Sequence, residues 1–211
     1  SFQNLLIVAD GMGGHRAGDY ASRLCVETMV QSLEKSAHKT PVSLFEEAVT
    51  AANKAVFEES ASHVEYEGMG TTVVACTLEE NTLYIANIGD SRLYLIRDGI
   101  EQITDDHSLV EEMVKQGNIT ESEARIHPQK NIITRALGIN EEVQADFFEI
   151  DVEQGDVIML CSDGLSNMIE DEDMEYIVKN SDTLQTAAES LVARANENGG
   201  NDNITVVLAE V

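Results

Sequence analysis

Four aspartates occupy similar places in the sequence, each where an apolar run meets a glycine-containing or polar turn. Asp10 follows LLIVA, Asp90 follows YIANIG, Asp163 follows VIMLCS and Asp202 lies just before NITVVLAEV. Strand ends on one side of a sheet lie close together, so these side chains could meet although they are far apart in sequence. Clustered carboxylates repel one another unless a cation neutralises them. The fitting cation is a hard divalent ion such as Mg²⁺ or Mn²⁺, which prefers carboxylate, carbonyl and water oxygens.

The same residue types are also typical of plain turns. Asp98-Gly99 follows an apolar run as well, yet it indicates a hairpin turn with no chemistry. Spacing alone therefore leaves a metal site and a set of ordinary turns equally open. The glycines after Asp10 let backbone atoms approach a ligand closely, and the Gly11 carbonyl would offer a second oxygen to the same ion. A phosphate-binding loop is disfavoured, because the stretch matches neither G-x-x-x-x-G-K-[ST] nor G-x-G-x-x-G.

Charge and composition narrow the class of protein. The 211 residues include 39 acidic and 13 basic residues, for a formal net charge of −26. A field of that sign repels nucleic acid and anionic membranes, and most of the carboxylates are expected to form a solvated acidic surface. No apolar run is long enough to predict membrane insertion. The three isolated cysteines predict neither disulfides nor zinc clusters, which favours a reduced, cytoplasmic setting.

The elements that must position the aspartates follow from hydrophobic periodicity. Residues 5–9 indicate a buried strand, and residues 16–36 place apolar side chains at helical spacing. Thr40 and Pro41 are typical of the N-cap and first position of a second helix. The β-rich runs that follow are 71–78, 82–88, 92–97 and 100–104. Their short connections, 79–81, 89–91 and 98–99, predict antiparallel hairpins.

The second half of the chain alternates in the same way. A helix is predicted over 108–116 with Gly117 as its end, and residues 120–123 fit a capping box for another short helix. Strands are predicted at 143–152, 157–161 and 203–211, and helices at 171–179 and 183–196. Helix pair, strands, helix pair and closing strand predict an α+β fold with helices outside two mainly antiparallel sheets. Without a linker or repeat, one domain over 1–211 is expected.

Seven motifs occur in the order found in the metal-dependent protein phosphatase family, the type 2C serine/threonine phosphatases. They are ADGMGGHRAGDYAS (9–22), GMGTTVV (68–74), NIGDSRLYL (87–95), DHSLVEEMVKQG (106–117), HPQKNIITRALG (127–138), CSDGLSN (161–167) and GGNDNITVVL (199–208). The chain most resembles the bacterial stand-alone members of that family. The resemblance covers nearly the whole sequence.

The resemblance implies a four-layer αββα sandwich, two mainly antiparallel sheets flanked by helix pairs, with two or three Mg²⁺ or Mn²⁺ ions at one end. It implies that Asp10 bridges two ions and that the Gly11 carbonyl contacts the second. Asp163 and Asp202 would complete the first site, and Asp90 with Asp163 would hold a third ion. Residues 105–135 would form the family's variable flap beside the site.

The implied reaction is direct attack on phosphorus by a water that two ions share, without a phosphoenzyme. The sequence lacks the motifs that other classes of phosphatase require. The residues six after Cys25, Cys76 and Cys161 are Gln31, Thr82 and Asn167, so C-x5-R is absent. G-N-H-E is absent too, and Asp171-x-Asp173 is not followed by the Thr or Val that D-x-D-x-[TV] requires.

Two departures from the family pattern matter. The position of a proposed general acid in animal-type members is Met12 here, so the proton comes from water or from His15, which otherwise caps the helix or lines the site. The family's first strand, with an arginine that grips phosphate, has no counterpart upstream of LLIVAD. We therefore expect an exposed sheet edge and residues upstream of Ser1 in the natural protein. The alternatives are a catalytically impaired pseudophosphatase or metal-binding regulatory module, and a non-enzymatic cation-binding protein.

The remaining candidates lie in or near the flap. Asn131 and Arg135 could border the substrate site, although a surface ion pair explains Arg135 as well. His107 is expected to begin the helix at Ser108, and Arg92 to hold Asp90 in place. As partners, the resemblance implies proteins phosphorylated on Ser or Thr and a cognate bacterial Ser/Thr kinase.

Overall fold

The computed structural model describes residues 4–37 and 40–211, apart from the side chain of His15. The helices are α1 His15–Lys35, α2 Pro41–Ser62, α3 Leu109–Lys115, α4 Glu121–Arg125, α5 Asp163–Ser166, α6 Asp171–Lys179 and α7 Leu184–Glu197, with one 3₁₀ turn at Val64–Tyr66. The strands are β1 Leu5–Val8, β2 Gly11–Met12, β3 Gly70–Thr71, β4 Val73–Glu79, β5 Thr82–Ile88, β6 Arg92–Ile96, β7 Ile100–Gln102, β8 Asp146–Asp151, β9 Val157–Cys161 and β10 Val206–Glu210.

Two four-stranded antiparallel sheets form the centre of the fold. One has the strand order β1-β4-β5-β8 and the other β10-β9-β6-β7, while β2 and β3 form a small ribbon. The first sheet is set in register by pairs such as Val73 with Ile88, and the second by pairs such as Arg92 with Cys161. The predicted mainly antiparallel pair of sheets is therefore confirmed.

Three hydrophobic clusters define four layers. The first cluster joins α1 and α2 to the first sheet, through residues such as Met29, Phe45 and Ala86. The second lies between the two sheets and includes Val74 and Leu160. The third packs α6 and α7 on the second sheet. Helices cover both outer faces because each sheet is apolar on both sides, and the αββα sandwich is confirmed.

One predicted connection is wrong. Residues 89–91 do not close a hairpin, because β5 pairs with β4 and β8 whereas β6 pairs with β7 and β9. The chain crosses from one sheet to the other at Gly89, whose φ of 102° is in the left-handed region. The other two connections, at 79–81 and 98–99, do join paired strands. The crossing carries Asp90 to the end where the two sheets meet.

Strands β1 and β10 are the edge strands on the same side of the sandwich. In the described residues β1 pairs with β4 alone and β10 with β9 alone. Val8 is buried, but the rest of β1 and most of β10 are half-buried. The strand predicted at residues 5–9 is present as β1, but the expectation that it is buried is wrong except at Val8, because an edge strand has a neighbour on one side only.

Residues 105–135, which we call the flap, lie between β7 and β8 and contain α3 and α4. Ser108 caps α3 by accepting a hydrogen bond from Glu111 N–H at 3.2 Å. Thr120 and Glu123 form the predicted capping box at the start of α4. Thr40 and Pro41 likewise take the predicted places at the start of α2. Across the described residues, no helix combines the length and apolarity that a membrane crossing requires.

Candidate active site

The backbone of Asp10 is held by two threonines, Thr71 at the end of β3 and Thr72 directly after it. Asp10 N–H donates to Thr72 Oγ1 at 3.0 Å, and its carbonyl accepts from Thr72 N–H at 2.8 Å and from Thr71 Oγ1 at 2.9 Å. Thr72 Oγ1 also lies 2.7 Å from Ser91 Oγ, beside Asp90. These contacts satisfy the N–H and the carbonyl of Asp10, so its carboxylate is not needed to hold the backbone in place. Sequence reasoning missed the two threonines, whose only signal is a hydroxyl pair beginning a buried β run.

Gly11 and Gly18 bring β2 and α1 into direct backbone contact. A Cβ on Gly11 would lie 1.8 Å from the Gly18 carbonyl oxygen, and a Cβ on Gly18 would lie 2.6 Å from the Gly11 oxygen. Only glycine fits at such an approach. Glycine is therefore required at position 11 because the backbone packs closely against α1, and this packing fixes the position of the Gly11 carbonyl.

We expect Gly11→Ala to lower the free energy of unfolding by about 2–3 kcal/mol, because the new methyl group overlaps backbone that cannot rotate away. The control is Gly99→Ala, where no heavy atom lies within 4 Å of the added Cβ. Urea unfolding of both variants measures the difference. Equal stability of the two would show that β2 and α1 separate easily.

Asp90 is placed by the sheet crossing. A Cβ on Gly89 would lie 2.6 Å from Thr72 Cγ2, so the crossing also packs tightly on the threonine pair. Gly89 N–H donates to His107 Nδ1 at 3.0 Å, and His107 N–H donates to the Gly89 carbonyl at 2.9 Å. The base of the flap thus fixes the residue that precedes Asp90.

Asp163 and Asp202 meet because α5 packs against the loop before β10. A Cβ on Gly164 would lie 2.2 Å from the Asn203 carbonyl oxygen, which Ser162 Oγ also contacts at 3.1 Å. The Asp163 carboxylate accepts a hydrogen bond from Asn167 Nδ2 at 3.1 Å, and Asp202 Oδ1 accepts one from Asn203 N–H at 2.8 Å. Asp202 is exposed, so it faces solvent at the rim of the cluster.

The four aspartates act on one another electrostatically. Burial, followed by a hydrogen-bonded contact with Asp163 and the charges of Asp202 and Asp90, raises the pKa of Asp10 to about 7. Burial and the charges of Asp163 and Asp106 raise the pKa of Asp90 to about 7 as well. Burial likewise raises the pKa of Asp163. The structure therefore brings together the strand-end aspartates, at a cost in free energy that a cation would remove.

The donor set fits divalent metal ions. In the described ranges, no Lys or Arg donates a hydrogen bond to any of the four carboxylates. Within residues 4–37 and 40–211, no group of three or more His, Cys, Asp or Glu side chains is already arranged to hold an ion. The aspartates thus converge without forming a closed ligand shell. Carboxylate oxygens with no basic partner are nevertheless the ligands that Mg²⁺ and Mn²⁺ take.

Arg92 does not hold Asp90 directly, which corrects the expectation from sequence. Its guanidinium makes a bidentate ion pair with Asp106, at 2.7 and 2.9 Å, and donates to Tyr94 Oη at 2.9 Å. Arg92 and Asp106 line a cavity of about 550 Å³, which residues of the flap also line and which borders Asp90 and Asp163. Lys130 lines that cavity, whereas Asn131 is exposed and does not line it.

Arg135 lies in a polar group at the base of the flap. It donates to Asp146 Oδ1 at 2.7 Å and to the Gln144 carbonyl at 3.0 Å. Because His107 Nδ1 accepts from Gly89, His107 Nε2 carries the proton and donates to Asp146 Oδ2 at 3.0 Å. Despite partial burial, these hydrogen bonds hold the pKa of Asp146 below its usual value. The ion pair that the sequence left open for Arg135 is present.

His15 begins α1 in the structure, and its side chain lies outside the described residues. Its proposed part in proton transfer stays a prediction. The same holds for a substrate contact of Asn131 or Arg135.

Comparison with known proteins places the chain in one family. The family described as "Protein phosphatase 2C" matches residues 1–209. The serine/threonine phosphatase stp of Listeria monocytogenes is 41% identical over 213 residues, which cover 99% of this chain and 84% of that protein. The crystal structure of Stp1 from Staphylococcus aureus is 35% identical, with a TM-score of 0.93, and the match covers 98% of this chain and 83% of that one.

A third similar protein has a crystal structure that contains bound metal ions. The catalytic domain of the serine/threonine protein phosphatase PstP, solved in complex with two manganese ions, is 36% identical with a TM-score of 0.88. That match covers 98% of this chain and 87% of the other. The family match spans all of the converging aspartates. The chain therefore belongs to the protein phosphatase 2C family and is a serine/threonine phosphatase of the bacterial type.

Proposed function

We propose that the phosphatase activity of this chain resides at Asp10, Asp90, Asp163 and Asp202, with two or three Mg²⁺ or Mn²⁺ ions as cofactors. The observation that carries this proposal is electrostatic. Burial and the charges of nearby carboxylates, Asp163 in both cases, raise the pKa of Asp10 and of Asp90 to about 7. Buried carboxylates held close without a basic partner are unfavourable in the metal-free state. Catalytic sites concentrate such groups, whereas ordinary turns do not.

In the proposed assignment Asp10 would be a ligand shared by two ions, and the Gly11 carbonyl would contribute to the second. Asp163 and Asp202 would complete the first site, and Asp90 with Asp163 would hold a third ion. The manganese bound by the PstP catalytic domain supports a divalent metal at the corresponding end of this fold. Bound ions of this kind supply an activated water and neutralise the phosphate charge.

The chain's own residues prepare the site. Thr71 and Thr72 fix the Asp10 backbone, so its side chain keeps one direction. Asn167 orients the Asp163 carboxylate. Because burial and Asp163 raise the pKa of Asp10 to about 7, this carboxyl holds a proton in acidic solution that a bound cation would displace. Metal binding is therefore expected to release protons and to weaken as the pH falls below about 7.

The substrates are proteins phosphorylated on Ser or Thr, and the cavity beside Asp90 and Asp163 leaves room for the chain that carries the phosphate. A cognate bacterial Ser/Thr kinase is the proposed partner. The cytoplasm is the proposed compartment, since Cys25, Cys76 and Cys161 are free and buried. We take residues 1–211 as one phosphatase domain with the flap at 105–135.

No observation favours the alternatives. Nothing in the site geometry or among the relatives supports the pseudophosphatase hypothesis. A non-enzymatic cation-binding protein disagrees with the family to which the chain belongs.

Metal removal tests the proposed function. After dialysis against EDTA, hydrolysis of a phosphothreonine peptide is expected to fall below about 1% of the starting rate, because the ions supply several kcal/mol of transition-state stabilisation. Adding Mn²⁺ or Mg²⁺ should restore the rate, and a sample dialysed without EDTA is the control. Turnover that survives EDTA would refute a metal-dependent mechanism.

A further inference from the structure

Among the described residues, the flap is fastened to the rest of the molecule at its base and at α4. The first is its base, where His107 and Gly89 exchange hydrogen bonds beside Asp90. The second is at the far end of the flap, where Arg125 is the last residue of α4. Arg125 Nη2 donates to the carbonyls of Ser166 at 3.4 Å and Ile169 at 3.3 Å. It also forms an ion pair with Glu170 at 3.0 Å.

The partners of Arg125 belong to the segment that carries Asp163. Asp163 begins α5 and Ser166 ends it, so the contacted carbonyl is about one helical turn from the carboxylate. The last carbonyls of a helix have no partner within the helix, and Arg125 Nη2 faces two carbonyls of this segment. The same segment is held from the other side by Asn198 Nδ2, which donates to the Met168 carbonyl at 2.7 Å. Arg125 therefore attaches the flap to a fixed support.

The ion pair alone does not explain this arrangement. The Arg125 and Glu170 side chains are 33% and 63% exposed, and exposed ion pairs contribute little to stability. The carbonyl contacts join the flap to the backbone of the α5 segment, and they come from the same nitrogen that pairs with Glu170. Of the side-chain hydrogen bonds and ion pairs that α4 makes in the structure, those that leave the flap come from Arg125.

We propose that Arg125 is a positioning residue for the phosphatase reaction: it latches the flap to the α5 segment and so sets the flap's height over the cavity at Asp90 and Asp163. The latch consists of Arg125, the Ser166 and Ile169 carbonyls and Glu170. In this proposal a phosphoprotein occupies the cavity between the flap and this segment, whereas a small phosphate ester needs less of that space. The latch thus acts on the binding of large substrates. This inference depends on the proposed function only for its kinetic part.

Arg125→Gln tests the latch in the full-length enzyme with Mn²⁺. Hydrogen exchange of residues 117–126 is expected to increase at least fivefold, because α4 loses its attachment to α5. The KM for a phosphothreonine peptide should rise about five- to tenfold with kcat within about twofold, while kinetics on p-nitrophenyl phosphate stay within about twofold. Arg125→Lys should recover part of both effects, since it keeps a positive charge opposite Glu170 on a shorter side chain.

Two further variants complete the design. Glu170→Gln removes the ion pair and keeps the carbonyls, so a smaller effect is expected than for Arg125→Gln. Arg194→Gln is the matched control, because Arg194 also pairs with a glutamate on the surface, Glu197, but lies on α7. It should change neither exchange in the flap nor the KM.

Each outcome decides between a latch and a merely structural arginine. Unchanged exchange in Arg125→Gln overturns the proposal, as does an equal loss of kcat on both substrates together with a lower melting temperature. A wild-type enzyme inactive on both substrates with Mn²⁺ would overturn the proposed function instead. The exchange measurement would still decide the latch in that case.

Discussion

Replacing Asp163 by asparagine is expected to lower kcat/KM for a phosphothreonine peptide by about a thousandfold, equivalent to about 4 kcal/mol. Asp163 is the carboxylate through which the cluster is connected. It contacts Asp10, and its charge acts on Asp90 as well. An amide keeps the shape of the side chain but loses the charge that binds a cation. Initial rates at saturating Mn²⁺ measure the effect.

The chain contains a suitable control in Asp98→Asn. Asp98 also precedes a glycine after an apolar run, but it is exposed in the turn between β6 and β7. The kcat/KM of the Asp98→Asn variant should stay within about twofold of the wild-type value, because surface substitutions rarely alter distant sites. An Asp163→Asn enzyme with the full rate would remove Asp163 from the mechanism, whatever its place in the structure.

The convergence of the aspartates could be predicted from sequence because it depends on local rules. A buried apolar run followed by a turn places the next polar residue at the end of a strand, and strand ends gather at the edges of sheets. The bounds of β5 and β9 follow from their runs in the same way. The seven ordered motifs then set the pairing of sheets and helices, which periodicity alone leaves open.

The sheet crossing at residues 89–91 could not be predicted in this way. A short glycine-containing connection between two apolar runs has the same sequence whether it closes a hairpin or changes sheets. The deciding contacts come from elsewhere: β4 and β8 take both edges of β5, so β6 has no free edge there to pair with. The result matters for function, because it places Asp90 between the two sheets.

The partners of the arginine side chains could not be predicted from the sequence either. Arg92 is two residues from Asp90 in sequence, but its guanidinium pairs with Asp106, 14 residues away. Arg125 contacts carbonyls 41 and 44 residues away. Long flexible side chains reach whichever acceptor the tertiary fold brings near, so nearness in sequence is a weak guide to their partners. The sequence predicted a close approach of the Gly11 backbone to a ligand, but it gave no sign of the close contact with Gly18.

In metal-free protein, Asp10→Asn is expected to increase the free energy of unfolding above pH 7 and to have little effect near pH 4. The pKa of Asp10 is raised from 3.8 to about 7 in the folded state. A carboxyl with a raised folded pKa favours folding fully below about pH 4, and that contribution is lost as the pH rises to about 7. Asparagine cannot ionise, so the variant avoids the loss.

The expected gain at pH 8 is about 2 kcal/mol, after allowing for solvent screening and for the contact with Asp163. Urea unfolding in EDTA at pH 4.5 and pH 8 measures it, with Asp98→Asn as a control whose difference from wild type should not depend on pH. Adding Mn²⁺ at pH 8 should reverse the order, because the wild type gains stability from the ion and the variant gains less. An Asp10→Asn protein that is less stable than wild type at pH 8 in EDTA would show that the four carboxylates are not under mutual repulsion, and the proposed metal centre would lose its physical basis.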